Sequence, residues 1–296
     1  MDILNLQAFI AVTETGSFSR AAEQLFLTQP AVSKRIHSLE NELDSKLFDR
    51  VGKRIQLTEA GRALLPGSQR ILAELEESRR RIANLGDKVS GPLRIGTSHH
   101  IGLHRLPPVL KAFTAYYPQV ELDIHFMDSE DAHEGVIKGE LELAIATLPS
   151  RDIPSLGSRL IWYDPLDVVV SRDHPLTRQA RVSVDDLKHY PAILPSSSTF
   201  TRRLIEEDMG IAHADLQVAM ETNYLETIKM LVSVGLGWSV LPVSMLSPDI
   251  CHLFLDNVEM ERQLGVSWHR QRTLSNAASS FLQILTSKTT LPYTNT

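Results

Sequence analysis

Ser17–Ile36, SFSRAAEQLFLTQPAVSKRI, is the stretch on which the reading of the chain turns. It divides into two short helical patterns with a tight turn between them. Ala21, Ala22 and Leu25 give the first pattern an apolar face; Val32, Ile36 and Leu39 give the second one at helical spacing. Thr28 stands where the second helix needs an N-cap. Pro30 falls in its first turn, where a missing N–H costs little. The small Ala21 and Ala22 let the two helices approach closely, so the stretch predicts a helix-turn-helix.

The second helix has a distinct outer face. Gln29 and Ser33 lie one turn apart, Pro30 and Lys34 sit beside them, and Arg35 and His37 mark the margin. A glutamine amide can read an adenine edge with two hydrogen bonds, a serine hydroxyl serves base or phosphate, and a lysine neutralises phosphate. An ordinary helical hairpin with a solvated polar face would carry the same residues. The segments on either side of this pair separate the two readings.

Leu6, Phe9 and Ile10, with Thr13 a turn later, predict a preceding helix that ends at Gly16 and walls the same small core. After Leu39, the run Glu40–Leu43 reads as the solvated tail of the second helix. LFDRVGKRIQLT then gives two alternating runs around Val51-Gly52-Lys53, a β-hairpin with a basic tip. A hairpin directly after such a helix is the wing of a winged helix-turn-helix, from which Arg50, Lys53 and Arg54 reach phosphate or the minor groove. Thr58 and Glu59 open a long helix running to about Gly86. Leu64, Ser68, Ile71, Leu75, Ser78, Ile82 and Leu85 step alternately four and three along it. One helix cannot bury that heptad-like stripe alone, and a second subunit supplies the partner. Pro66 is expected to kink this helix.

The net charge of −6 hides a split: residues 1–90 hold 13 Lys+Arg against 12 Asp+Glu, and the remainder 17 against 24. Thr28–Arg54 carries six basic and four acidic residues, a footprint sufficient for nucleic acid only when two copies bind together. The lone Cys251 excludes an intrachain disulfide and argues against a two-cysteine redox switch or a cysteine-based zinc site. MDILNLQAF lacks the basic flank and apolar run of a signal peptide, so a cytoplasmic location is expected. Met230–Pro248 holds no charge, but Gly235, Gly237 and Pro242 make it helix, turn and buried strand rather than a membrane span.

Gly86–Pro92 reads as a hinge, after which strand and helix alternate. Strands are predicted at 93–97, 120–126, 141–146, 166–170, 192–194, 216–220, 238–241 and 264–268. Helices are predicted at 103–116, 130–138, 184–189, 201–209, 224–234 and 276–286. This is an α/β region with enough units for two small sheets, whose ligand binds beyond the strands' carboxyl ends, where helix N-termini converge.

These pieces together resemble the LysR-type transcriptional regulators, along the whole chain and most specifically over FIAVTETGSFSRAAEQLFLTQPAVSKRIHSLENELDSKLFDRVGKRIQLTEAG. The family usually reads Ser-Gln-Pro-Ala-Val-Ser at the recognition helix; here Thr28 replaces the first Ser, and either residue can cap. The resemblance implies an N-terminal all-α winged helix-turn-helix (residues 1–58), a dimerisation helix and hinge (59–90), and an α/β effector domain (91–296). That last domain is two-lobed and like a type-II periplasmic binding protein, one lobe spanning 92–163 with 266–288 and the other 164–265. It implies promoter contacts from Thr28, Gln29, Pro30, Ser33, Lys34, Arg50, Lys53 and Arg54. Lys34 is often Arg in the family, and a lysine lacks the planar fork with which a guanidinium makes a bidentate contact. Ser98-His99, Ile145-Ala146-Thr147 and Phe200-Thr201 are similar to pocket motifs of the family's sulfur-assimilation, CysB-like branch. His100 and Ile101 replace polar residues there. The implied pocket comprises Thr97, Ser98, His99, His100, Thr147, Thr199, Phe200, Thr201 and Arg202, holding a small anion on hydroxyls and helix N-termini. Partners implied are double-stranded promoter DNA, the effector, further copies of the chain as dimer or tetramer, and RNA polymerase; no membrane is expected.

Other chemistries fit these residues less well. His99, His100 and His104, joined by His125 or His133, suggest a metal. Adjacent histidines at a strand end point to opposite sides, however, so no metal site is expected. Ser196–Thr199 lacks a Gly-x-Ser-x-Gly elbow and reads as a loop and helix cap. Asp185-Asp186 reads as a solvated helix start, and Trp162 and Tyr163 as core or hinge packing. With no phosphate loop or dinucleotide fingerprint, neither a cofactor nor an enzymatic activity is expected. An enzyme carrying a DNA-binding appendage would need a catalytic constellation. A constitutive architectural DNA protein would be more basic.

Overall fold

The computed structural model describes residues 1–51, 54–86, 88–179, 181–255 and 258–288. The chain forms two compact units, Met1–Gly86 and Asp87–Thr296.

In the first unit, α1 (Ile3–Thr15) starts on Asp2, whose carboxylate accepts from Leu4 N–H, and ends at Gly16 in the left-handed conformation. Ser17 caps α2 (Phe18–Gln24). Thr28 caps α3 (Gln29–Glu42) by accepting from Ala31 N–H, with Pro30 in the first turn. Leu6, Phe9 and Val12 of α1, Ala21 and Ala22 of α2, and Val32, Ile36 and Leu39 of α3 bury into one core. The hairpin pairs β1 (Phe48–Val51) with β2 (Arg54–Leu57), and the Phe48 ring packs on Phe9 and Phe18. Thr58 then caps α4 (Glu59–Ala83), a single helix through Pro66. Gly61 is required there: a Cβ would stand 2.3 Å from the Leu47 carbonyl oxygen.

One local expectation fails. Glu40 is buried rather than solvated. Its carboxylate accepts from Leu47 N–H at 3.0 Å and from the Lys46 ammonium at 2.8 Å, closing the end of α3 onto the hairpin.

The second unit runs β3 (Gly91–Thr97), α5 (His99–His104), α6 (Pro107–Tyr116), β4 (Val120–Phe126), α7 (Ser129–Lys138), β5 (Leu143–Thr147) and β6 (Leu156–Ser171). There follow α8 (Val184–Leu187), β7 (Ala192–Leu194), α9 (Phe200–Met209), β8 (Val218–Glu221), α10 (Leu225–Ser233), β9 (Ser239–Pro242), β10 (Ile250–Leu253), β11 (Met260–His269) and α11 (Asn276–Lys288). The two separate sheets expected from the alternation are instead joined. Strands order as β10-β6-β11-β5-β3-β4 with β9 also on β6, and β7–β8 form a separate pair. The reason lies in β6 and β11, far longer than their apolar runs suggested, which pair antiparallel across both lobes.

Each lobe has its own core. Leu93, Ile95, Leu143, Ile145 and Phe281 centre the first; Val168, Val170, Leu194, Ile205 and Trp238 centre the second. Leu264 packs into the first core, just inside the boundary expected at 265/266, and the β6–β11 register shifts between Leu264 and Gly265. No helix among the described residues is long and apolar enough to cross a membrane; Met230–Pro248 divides between α10, a turn and β9.

Candidate functional site

On the first unit, α3 presents Gln29, Pro30 and Lys34 to solvent, with Ser33 half-buried beneath them. Gln29 Nε2 donates to Ser33 Oγ at 2.9 Å, so the amide is held along the helix face. Thr28 is exposed, with its hydroxyl turned to the cap. At the hairpin tip, Lys53 lies outside the described residues, as do the side chains of Arg50 and Arg54. Along α4 the predicted stripe stays open at Ile71, Ser78 and Ile82, and at Leu85 just past the helix end, while Ser68 is buried and donates to the Leu64 carbonyl.

In the second unit a cleft opens where β3, β5 and β7 end. Ser98, His99, His100, Thr147, Thr199, Phe200 and Thr201 all line it. The cleft offers about 50 Å³ of water-accessible space. At about 10–15 Å³ for each water on that measure, a ligand of few atoms fits. Thr97 is fully buried behind the wall, where its hydroxyl donates to the Ile145 carbonyl. Arg202 is turned away from the cleft and fully buried. Its nitrogens meet Glu206 at 2.7 Å, the Pro195 carbonyl at 3.1 Å and His213 Nδ1 at 2.8 Å. It holds α9 and its preceding loop in place.

The cation that does line the cleft is Arg262, beside the carboxylates of Asp128 and Glu130; sequence reasoning missed it because it sits inside an expected loop before the β11 apolar run. Arg262 Nε donates to Asp164 at 3.1 Å and its Nη1 to Thr201 Oγ1 at 3.3 Å. Arg105 donates to the other Asp164 oxygen at 3.1 Å. Two guanidinium groups thus share one carboxylate, and all three side chains are buried.

Contacts across the cleft also use Asp128 and Glu130, at the start of α7. Asn223 Nδ2 donates to Asp128 at 2.6 Å, and Phe200 N–H, the first of α9, donates to Glu130. Burial outweighs the Phe200 N–H and Arg203 and raises the Glu130 pKa. A helix dipole's positive end therefore already faces a carboxylate of the other lobe. The signal for these residues was the Asp-Ser-Glu start of α7, a common capping pattern.

The histidines divide by environment. His133 lies buried between Ser267 Oγ (2.7 Å) and the Thr147 carbonyl (2.9 Å), and burial lowers its pKa. His125 pairs with Asp123 on exposed β4. His99 packs between Phe126 and Tyr224. His99 and His100 do not end a strand, as expected, but open α5, where His100 and His104 lie one turn apart.

Two family models cover most of the chain: the bacterial regulatory helix-turn-helix of the lysR family over residues 3–62, and the LysR substrate binding domain over residues 86–290. A protein of Trichormus variabilis named as a probable RuBisCO transcriptional regulator is 32% identical over 288 residues, 94% of this chain and 86% of its own. The HTH-type transcriptional activator CmpR of Synechocystis is 30% identical over 284 residues, 94% of this chain and 93% of its own. Among solved structures, a full-length OxyR variant from Pseudomonas aeruginosa matches with a TM-score of 0.68 at 23% identity, over 98% of this chain and 95% of that one. With a helix-turn-helix module at one end and a two-lobed ligand-binding module at the other, the chain belongs to the LysR family of transcriptional regulators.

Proposed function

We propose that this regulator binds promoter DNA as a homodimer, two of which assemble into a tetramer, and that a small anion in the cleft controls that binding. Paired α3 helices enter successive major grooves of an imperfect palindrome, half-sites lying about one helical turn, or a multiple, apart. Gln29 and Ser33 read base edges, while Lys34 and the wing cations Arg50, Lys53 and Arg54 neutralise phosphate. The exposed stripe on α4 joins the two chains. Its site of action is the cytoplasm, where the promoter-bound assembly meets RNA polymerase.

The observation that carries the effector reading is the sharing of Asp164 between Arg262 and Arg105. Within that triad two positive charges meet one negative charge, beside the hydroxyls of Ser98, Thr147 and Thr201. A small oxyanion accepts from Arg262 and those hydroxyls, on the side of the cleft away from Asp128 and Glu130. By bridging lobes it favours one interlobe angle, and the assembly that accommodates this angle is favoured on DNA. The effect requires different affinities for the two assembly states.

The test is thermal stability of the full chain across phosphate, sulfate, bicarbonate and small carboxylates at constant ionic strength, followed by footprinting with any stabilising anion. A rise in melting temperature together with an altered footprint is expected. No response to any anion, in a chain that binds its promoter, rejects the anionic effector.

A further inference from the structure

Two side chains of α5 and one of α10 meet at the mouth of the cleft, apart from the Arg262–Asp164–Arg105 triad. His104 Nε2 lies 2.9 Å from Glu226 Oε1, and His100 Nδ1 lies 3.9 Å from the same oxygen. One nitrogen from each histidine and one Glu226 oxygen fall within 4.8 Å of one another. A hydrogen bond explains His104 and Glu226. It does not explain His100, which is 4% exposed and has neither ring nitrogen hydrogen-bonded among the described residues. A buried polar group left unpaired costs about 1–3 kcal/mol, so His100 calls for a partner that the surrounding side chains do not supply.

We propose that His100, His104 and Glu226 form a three-ligand site for a borderline divalent metal of the zinc class, bridging the two lobes of the effector domain. The ligand set fits that class. Two imidazoles and one carboxylate suit Zn²⁺, Co²⁺ or Ni²⁺, whereas Mg²⁺ and Ca²⁺ take oxygen donors. Spacing fits as well. Tetrahedral zinc, with bonds of about 2.0–2.1 Å, sets its ligand atoms roughly 3.4 Å apart. The observed separations straddle that value and need only side-chain rotation. The i,i+4 spacing places both histidines on one face of α5.

Burial lowers the His100 pKa to about 4, with Arg262 acting in the same sense, so the ring is neutral and competent to ligate at physiological pH. The Arg262 charge opposes a cation here, but its tie to Asp164 tempers that opposition. A fourth position is left open on the metal. Ile101 of α5 packs in the first lobe's core and Leu225 and Ile228 of α10 pack in the second lobe, so the metal acts as a clasp between them.

The experiment uses untagged, chelator-treated full-length protein titrated with Co²⁺ and Zn²⁺, with Mg²⁺ as the comparison. One equivalent per chain, visible d–d absorption of tetrahedral Co²⁺ intensity and a Zn²⁺-dependent rise in melting temperature are expected. His104→Ala and Glu226→Gln, both at half-exposed positions, should each weaken binding by at least about 10- to 100-fold. His252→Ala, removing a surface histidine paired with Asp167, should leave binding unchanged. The proposal is overturned if the protein gives no tetrahedral Co²⁺ spectrum. It is equally overturned if the α5 and α10 variants bind as the parent does, or if His252→Ala accounts for the loss. Promoter binding in metal-free protein with an intact anion response leaves the effector reading standing whichever way the metal titration falls.

Discussion

Arg262 and Asp164 face each other twice: their Cα atoms are register partners on β11 and β6, and the guanidinium grips the carboxylate between those strands. The same two strands carry the chain between lobes, so this buried pair sits where the interlobe angle is set. Replacing Asp164 by Asn would leave two buried guanidiniums short of a counter-charge. Loss of about 3–5 kcal/mol is expected, read as a lower urea midpoint with an unchanged slope. Arg262→Gln is milder, because Arg105 still holds Asp164. It should fold and bind DNA yet lose any anion-dependent stabilisation.

On the DNA face, Gln29→Ala removes the amide without touching the core of α3. Discrimination between operator and a site changed at the contacted base should fall by about 1–3 kcal/mol, while non-specific affinity holds. Lys34→Ala should do the opposite. Affinity for all sequences falls together, and the slope of log affinity against log salt drops by about 0.9 for each Lys34 that meets a phosphate. Fluorescence anisotropy over a salt series separates the two.

Glu40 gives a pH prediction for the first unit. Burial raises its pKa, but Lys46, the Leu47 N–H and His37 together outweigh burial and hold it below the ordinary carboxylate value. A folded value below the unfolded one means that the ionised group stabilises the fold above the unfolded pKa. That stabilisation is lost as pH falls through the folded value. Glu40→Gln should therefore cost about 1–3 kcal/mol at neutral pH, the gap closing below about pH 4. A gap of equal size at both pH values would mean packing, not charge, is what Glu40 supplies.

How much of the molecule was legible in the sequence depends on how local each signal is. The helix starts at Thr28 and Thr58 and the alternation of LFDRVGKRIQLT are short-range, and the elements form as their residues dictate. The seven cleft-lining residues that were anticipated lie at a strand's carboxyl end or in the caps and first turns of the helices that follow strands, where α/β folds put their ligands. Non-local chemistry was hidden. Nothing near Arg262 in sequence announces Asp164, 98 positions earlier. Arg202 reads as a binding cation until its partners Glu206, Pro195 and His213 are seen to surround it. The length of β6 escaped notice because its first half, Gly157–Asp164, runs Gly-Ser-Arg and then four consecutive apolar or aromatic residues, without the alternation of a strand.

Thr201 offers the sharpest separation of the two modules. Its hydroxyl accepts from Arg262 in the cleft, and Thr201→Val keeps the volume while removing that acceptor. No residue of the DNA face changes, so operator affinity without ligand should match the parent within about twofold, which is under 0.5 kcal/mol. The anion that stabilises the parent should bind the variant at least about tenfold less tightly, since a buried guanidinium N–H and the ligand both lose a partner. Titrating the same anion against thermal stability and against the footprint, in parent and variant, gives both readouts. A variant that keeps the full anion response would remove Thr201 from the binding wall and leave Arg262 and Thr147 to account for it.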